Sequence, residues 1–371
     1  MTWLKKIGVC SAFSLCAAVA QGQILIGQTA GFTGAVAAGV KETSDGAKLY
    51  INAVNAKGGV NGQKIELLSL DDKFEPKLAA ENARILIEEK NVVAMFLTRG
   101  TPHTEAILPL LDKNSVPLIG PSTGAMVLHQ PVKKHVFNVR ATYQREAEKA
   151  VLHLSTLGIK RIALVYPDDS FGADGVIGAQ KGLTEAKLTA VAVEKFDRTK
   201  PDFSKIIPII IAADAQAVVM IASGSAVVSG LTALRAAGSG AQVVTLSNNA
   251  SGGFVKSLGT NARGVVVTQV FPNERAIAYS FVKEAQDLVR DKKDTTELSP
   301  AMLEGFAAAK VLVEALRRAG PGPNRAKIQS ALENMKKYDL GGLEVSFSTE
   351  DHTGLDFADL SIIGTDGKFK R

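Results

Sequence analysis

The chain has 371 residues, 46% of them hydrophobic and 6% aromatic, with 43 basic and 37 acidic side chains for a formal net charge of +6. That length can bury one large core or two and suggests about two domains. Basic residues are scattered among acids and few aromatics interleave them, so no stripe suited to nucleic acid is present.

Lys5 and Lys6 precede an apolar run over 7–17, and Ala18-Val19-Ala20 follows it. Charge, run and small residues in that order read as a secretory signal peptide over 1–20, cleaved before Gln21. The run is too short for a permanent transmembrane helix, and no later segment reaches the ~18 apolar residues of one. Cys10 follows Val9 and Cys16 follows Leu15, so neither has the small preceding residue that a lipoprotein needs. A soluble protein of the periplasm is expected. Both cysteines leave with the signal, so the mature chain forms no disulfide. Functions that depend on ATP or NAD(P)H are disfavoured there.

Short apolar runs then alternate with amphipathic stretches. A strand at 24–27 leads to a helix over 43–55 that stops before Gly58-Gly59, and Asn61-Gly62 marks a turn. A strand at 64–70 ends at Asp71-Asp72. Pro76 suits the first turn of a helix over 77–90. A strand at 92–97, a helix over 101–112 and a strand at 116–119 follow. This order predicts a parallel sheet with right-handed crossovers. The pattern restarts with an extended segment at 137–140, a helix over 144–157, a strand at 161–166, a polar loop, and a helix to Ala186. Further strands are predicted at 191–195, 217–221, 242–246 and 264–271. Three helices, about 274–291, 300–319 and 324–336, precede a closing β pair at 343–347 and 358–363. Two βα units joined by extended crossings predict two lobes.

Ligands of open α/β sheets bind beyond the carboxyl ends of the strands, so the loops there hold the candidate site. They are 28–34, Thr98-Arg99-Gly100-Thr101-Pro102, Gly120-Pro121-Ser122-Thr123-Gly124, the loop 167–172 with Phe171, and Ser247-Asn248-Asn249. Thr suits an N-cap and Pro the first helical position, so a helix opening at Thr101-Pro102 offers free N–H groups and partial positive charge to a carboxylate. Arg99 adds a full charge, and the loop 120–124 offers hydroxyls and N–H groups to the other oxygen. That loop also spells G-x-S-x-G, which keeps open a secreted serine hydrolase using Ser122 with His153 or His352 as base. Against it, Pro131 interrupts the long helix an elbow should feed. The histidines (His103, His129, His135, His153 and His352) form no HExxH motif and read as surface or capping residues, so no metal or other cofactor is expected. Asp71-Asp72 reads as a loop or helix cap rather than a Mg²⁺ site.

"INAVNAKGGVNGQKIELLSLDD" (51–72) resembles the N-terminal signature of the leucine/isoleucine/valine-binding proteins, periplasmic solute receptors of ABC transporters. The stretches at 27–39, 75–124, 161–175 ("RIALVYPDDSFGADG"), 233–238 and 262–272 continue the match in order. The resemblance implies the type I fold, two α/β lobes with mainly parallel sheets joined by three hinge crossings. Lobe 1 is then 21–139 plus 270–338 and lobe 2 is 140–269 plus 339–371, with crossings near 138–141, 264–271 and 337–342. It also implies a monomer that binds a small molecule and serves an inner-membrane ABC permease, without catalysis. Thr101 falls where a hydroxyl holds the ligand carboxylate, and Ser122, Thr123 and Gly124 fall in the clamp around carboxylate and amine, beside Arg99 and Gly100. Phe171 falls where an aromatic residue, usually tyrosine, closes over the ligand. Asn248 or Asn249 falls where amino-acid receptors often place an acid against the ammonium. That departure leaves two ligands open, a branched-chain or related amino acid and an amine-free aromatic or aliphatic carboxylate.

Overall fold

The computed structural model describes residues 22–292 and 297–371. The expected signal peptide lies outside the described residues. The first lobe opens with β1 (Ile24–Ala30), α1 (Ala37–Ala56), β2 (Ile65–Asp71), α2 (Pro76–Arg84), β3 (Ala94–Phe96), α3 (Thr101–Asn114), β4 (Leu118–Ile119) and β5 (Val136–Phe137). The chain then enters the second lobe with α4 (Tyr143–Thr156), β6 (Ile162–Pro167), α5 (Ser170–Glu185), β7 (Ala192–Phe196), α6 (Ile206–Ala212), β8 (Ala217–Met220), α7 (Ser225–Ala236), β9 (Gln242–Thr245), α8 (Gly252–Leu258) and β10 (Val266–Gln269). It returns with α9 (Ser280–Asp291), α10 (Pro300–Ala319), α11 (Arg325–Glu333) and a hairpin of β11 (Tyr338–Asp339) and β12 (Glu344–Val345). It ends in the second lobe with β13 (Asp359–Ile363) and β14 (Phe369–Lys370).

The strands of the first sheet are parallel and run β2-β1-β3-β4-β5. The second runs β14-β13-β10-β9-β8-β6-β7, parallel except at β13 and β14. Both sheets therefore reverse strand order at a switch point, β1/β3 in one and β6/β8 in the other, where open sheets leave a crevice for ligands. Parallel strands are covered on both faces and read as continuous apolar runs. Residues 162–165 and 217–220 follow that rule, being wholly buried.

Helix α10 lies against α1 and is buried along nearly all of its length. The close approach depends on two glycines. A Cβ on Gly46 would lie 1.9 Å from the Met302 carbonyl oxygen, and one on Gly305 would lie 1.7 Å from that of Thr43.

Four departures from the sequence reading concern the return segment and the second lobe. The helix expected from 274 begins at Ser280. The segments 343–347 and 358–363 do not pair with each other: β12 pairs with β11, and β13 lies between β10 and β14. Gly341 and Gly342, at φ 121° and 96°, let the chain turn back within 338–345. Leu340, Leu343, Val345 and Phe347 pack in the first-lobe core. The boundary expected at 338/339 thus falls inside a first-lobe hairpin, and the third crossing lies beyond residue 347. The short helices α6, α7 and α8 complete the second lobe and were not among the predicted elements.

The first and third crossings run side by side. Asn138 N–H donates to His352 O at 2.9 Å, and Gly354 N–H returns a bond to Asn138 O at 2.9 Å. Leu355 N–H donates to Val139 O at 3.1 Å. Among the described residues no helix is long and apolar enough to cross a membrane.

Gly305→Ala should lower stability by about 3 kcal/mol through overpacking of α1 against α10. Urea unfolding reads this as a lower midpoint at unchanged slope. Gly240→Ala, which meets nothing within 4 Å, should leave the midpoint unchanged.

Candidate functional site

Arg99 leaves the carboxyl end of β3 at the first-lobe switch point and is only 5% exposed. Its Nη1 donates to Ser122 Oγ at 2.9 Å, and its Nη2 donates across the cleft to the backbone oxygen of Asn248 in the second lobe. No carboxylate of the described residues lies within ion-pair distance of it. Burial pushes its pKa down, as expected of a cation taken from water without a counter-charge.

The remaining first-lobe candidates gather around it. Gly100, not Thr101, is the N-cap of α3, at φ 92° and ψ 140°. A threonine disfavours that φ, and a Cβ there would meet His103 Nδ1 at 2.7 Å and the Phe74 ring at 2.9 Å. Thr101 is the first helical residue, and its hydroxyl is hydrogen-bonded to that of Thr123 at 2.7 Å. Ser122 N–H donates to Thr98 O at 2.7 Å, which fixes the loop 120–124 beside Arg99. Gly124 packs against the first crossing instead: its carbonyl accepts from Tyr143 N–H at 2.7 Å, and a Cβ would come 2.6 Å from Ala141 O.

In the second lobe, Asp169 caps α5 by accepting from Phe171 N–H and Gly172 N–H at 3.0 and 3.1 Å. That holds Phe171 in the first turn, edge-on to Tyr143 with ring centroids 4.9 Å apart. Arg198 is ion-paired with Asp169 and lies over two rings, Phe171 at 5.5 Å and Phe74 of the first lobe at 5.3 Å. Phe74 stacks on His103, centroids 4.3 Å apart. The amide nitrogen of Asn248 donates to Ala222 O and Ser223 Oγ at 3.1 and 2.9 Å, while its Oδ1 is buried without a partner.

Phe74, His103, Tyr143 and Arg198 were not among the candidates. Phe74 and Arg198 follow β2 and β7, so reading the loop after every strand would have reached them. His103, His129, His135 and His352 are buried rather than superficial. His129 and His352 brace the crossings, through Thr353 Oγ1 at 2.9 Å and Val136 O at 3.0 Å respectively. The carboxylates of Asp71 and Asp72 are taken up by loop groups, including the backbone N–H groups of Phe32, Lys73 and Phe74.

Two α/β lobes meeting at their switch points over loops of this kind invite comparison with known proteins. A family model described as periplasmic binding protein matches residues 23–358. This chain belongs to that family. A Leu/Ile/Val-binding protein homolog 7 of Brucella suis is 25% identical over 330 residues, covering 85% of this chain and 82% of that protein. An amino acid binding protein of Pseudomonas aeruginosa is 25% identical over 196 residues, so the chain spans about half the length of that relative (52%). A substrate-binding periplasmic protein from Ralstonia solanacearum has a similar structure, at TM-score 0.84 and 31% identity, with 94% of this chain and 99% of the other covered. A possible leucine/isoleucine/valine-binding protein from Rhodopirellula baltica superposes at TM-score 0.88 with 25% identity, over 95% and 97% of the two chains.

Members of the periplasmic binding protein family are substrate-binding receptors, and this chain is a receptor rather than an enzyme. The hydrolase reading of Ser122 falls accordingly. Its Oγ is held by Arg99, no histidine of the described residues is bonded to it, and the chain beyond forms only a short 3₁₀ turn at Met126–Leu128.

Burial lowers the pKa of His103 and of His129 to about 4. Both are neutral in the folded protein at pH 7, and protonation favours the unfolded chain. Stability should therefore be lost as pH falls from 6.5 through 4, on the order of 3 kcal/mol per histidine over that window. His103→Phe should remove about half of that loss in urea titrations at pH 7 and pH 4. Comparing the two proteins cancels the opposite effect of Asp72, whose carboxyl burial pushes up to about 6.

Proposed function

We propose that this periplasmic binding protein captures a small organic carboxylate between its lobes and presents the closed form to an inner-membrane ABC permease. The observation that carries this reading is Arg99, a buried guanidinium at the switch point with neutral partners only. Taking a cation out of water costs several kcal/mol unless an anion answers it, and a guanidinium matches a carboxylate in a bidentate pair. The hydroxyls of Ser122, Thr101 and Thr123 stand beside it. The signal pattern at 1–20 and the family support a periplasmic location. The names of the relatives make leucine, isoleucine and valine the first ligands to try.

Closure follows from contacts that only adjoining lobes make. Glu42 on α1 accepts from Gly252 N–H and Gly253 N–H of the second lobe at 2.9 and 2.7 Å. Ser225 N–H donates to Ala35 O at 3.3 Å, and Ser170 Oγ donates to the Glu105 carboxylate. A ligand that bonds to both lobes shifts the open–closed equilibrium by its differential affinity for the closed form.

A carboxylate at 100 times its Kd should add about 2.7 kcal/mol to stability, read as a rise of several degrees in a dye-based thermal melt. Arg99→Met should weaken binding ten- to a hundredfold, the worth of a charge-assisted bond of about 1.5–3 kcal/mol. The melting temperature without ligand should hold or rise, since an unpaired buried charge is gone. Undiminished affinity in the variant would refute the role given to Arg99.

A further inference from the structure

We infer that the captured solute is an aromatic carboxylate without an amine, a reading that rests on the receptor function proposed above. The first observation is the state of the acids. Among the described residues, the carboxylates around the cleft already face a cation or an N–H or O–H donor. Asp169 holds Phe171 N–H, Gly172 N–H and Arg198. Glu105 accepts from Ser170, and Glu42 from two backbone N–H groups. Glu146 and Glu304 both face Arg140, Glu304 at 3.6 Å. Glu304 Oε1 has no hydrogen-bond partner, but it faces the Arg140 guanidinium, so an ammonium entering this cleft would meet a cation beside that acid.

The second observation is the other free acceptor. Asn248 Oδ1 is buried and unpartnered, but it is neutral, and its own backbone oxygen already holds the Arg99 guanidinium. An ammonium bound there would stand beside a second cation, whereas a hydroxyl would not.

The third observation is the lining. Phe74 and His103 project from the first lobe, Tyr143 and Phe171 from the second, and the flat guanidinium of Arg198 lies over rings of both. Aromatic pairs contribute about 0.5–1.5 kcal/mol beyond the area they bury, so closure on these faces favours a flat ring over a branched alkyl group. Arg99 then seats the carboxylate at one end and the rings hold the body of the solute.

Matched ligands separate these features. Isothermal titration of the mature protein would use 3-phenylpropanoate and L-phenylalanine, which differ only by the amine, and 4-methylpentanoate and L-leucine, which differ likewise. The expected order places 3-phenylpropanoate at least tenfold tighter than L-phenylalanine and tighter than 4-methylpentanoate. Phe171→Leu should erase the preference for the ring, bringing the affinities for 3-phenylpropanoate and 4-methylpentanoate to within about threefold of each other. Tighter binding of either amino acid than of its amine-free partner would overturn the inference and leave the receptor function standing, with Asn248 or Glu304 serving the ammonium. Equal or tighter binding of 4-methylpentanoate than of 3-phenylpropanoate would overturn the aromatic part. Silence from all four, with benzoate silent as well, would overturn the carboxylate reading itself.

Discussion

The hinge is organised around one buried guanidinium that is answered from both lobes. Arg140 sits on the first crossing, 1% exposed, and is ion-paired with Glu146 on α4 of the second lobe. Glu304 on α10 of the first lobe faces it from the other side. Glu146 also accepts from Ser247 N–H at 2.9 Å and from the Thr268 hydroxyl, and Arg140 donates to Ser247 Oγ at 2.7 Å. One carboxylate therefore ties together the first crossing, the strand that leads into the second, and the loop that carries Asn248. A buried pair of this kind adds little net stability, but breaking one side is costly because the other charge is left stranded. The loop that carries Asn248 is thus tied to the hinge through Ser247 as well as to Ala222 and Ser223 of its own lobe.

Arg99 is the counterpart that the fold leaves unanswered. The two arginines are buried to a similar degree, yet Arg140 has carboxylates on two elements while Arg99 has a serine hydroxyl and a backbone carbonyl. The contrast separates scaffold from site. Where the charge balance closes within the protein, the geometry is fixed; where it does not, an outside anion completes it. The second lobe brings rings to the same place, Phe171 edge-on to Tyr143 and both buried.

Much of this was legible in the sequence, for identifiable reasons. Parallel strands buried on both sides leave apolar runs, so the strands read at 24–27 and 161–166 stand out, and the loops beyond strand ends are where Arg99, Ser122 and Asn248 lie. What escaped depends on contacts distant in sequence. The burial of His103 follows from Phe74 stacking on it from another loop, and Arg198 bridges rings 124 and 27 positions away in the chain. The crossing expected near 337–342 proved to be the β11–β12 hairpin, because Gly341-Gly342 lets the chain turn back there instead of moving on. The cap at Gly100 was assigned one residue late because Thr is the commoner cap, while its φ of 92° and the Phe74 and His103 rings crowding the position decide for glycine.

The chain passes between the lobes three times over the described residues, with two of those passages bonded to each other. A single flexible tether would let one lobe wander through a broad range of orientations, and each closure would have to recover that lost freedom. Three passages leave a narrow bending coordinate, so the two halves of the site remain nearly in register even when apart. The entropy of assembling the cleft is settled when the protein folds, once, and is not demanded again at each capture. A receptor built this way can turn over many solute molecules with modest contact energy and still close on each of them in the same geometry.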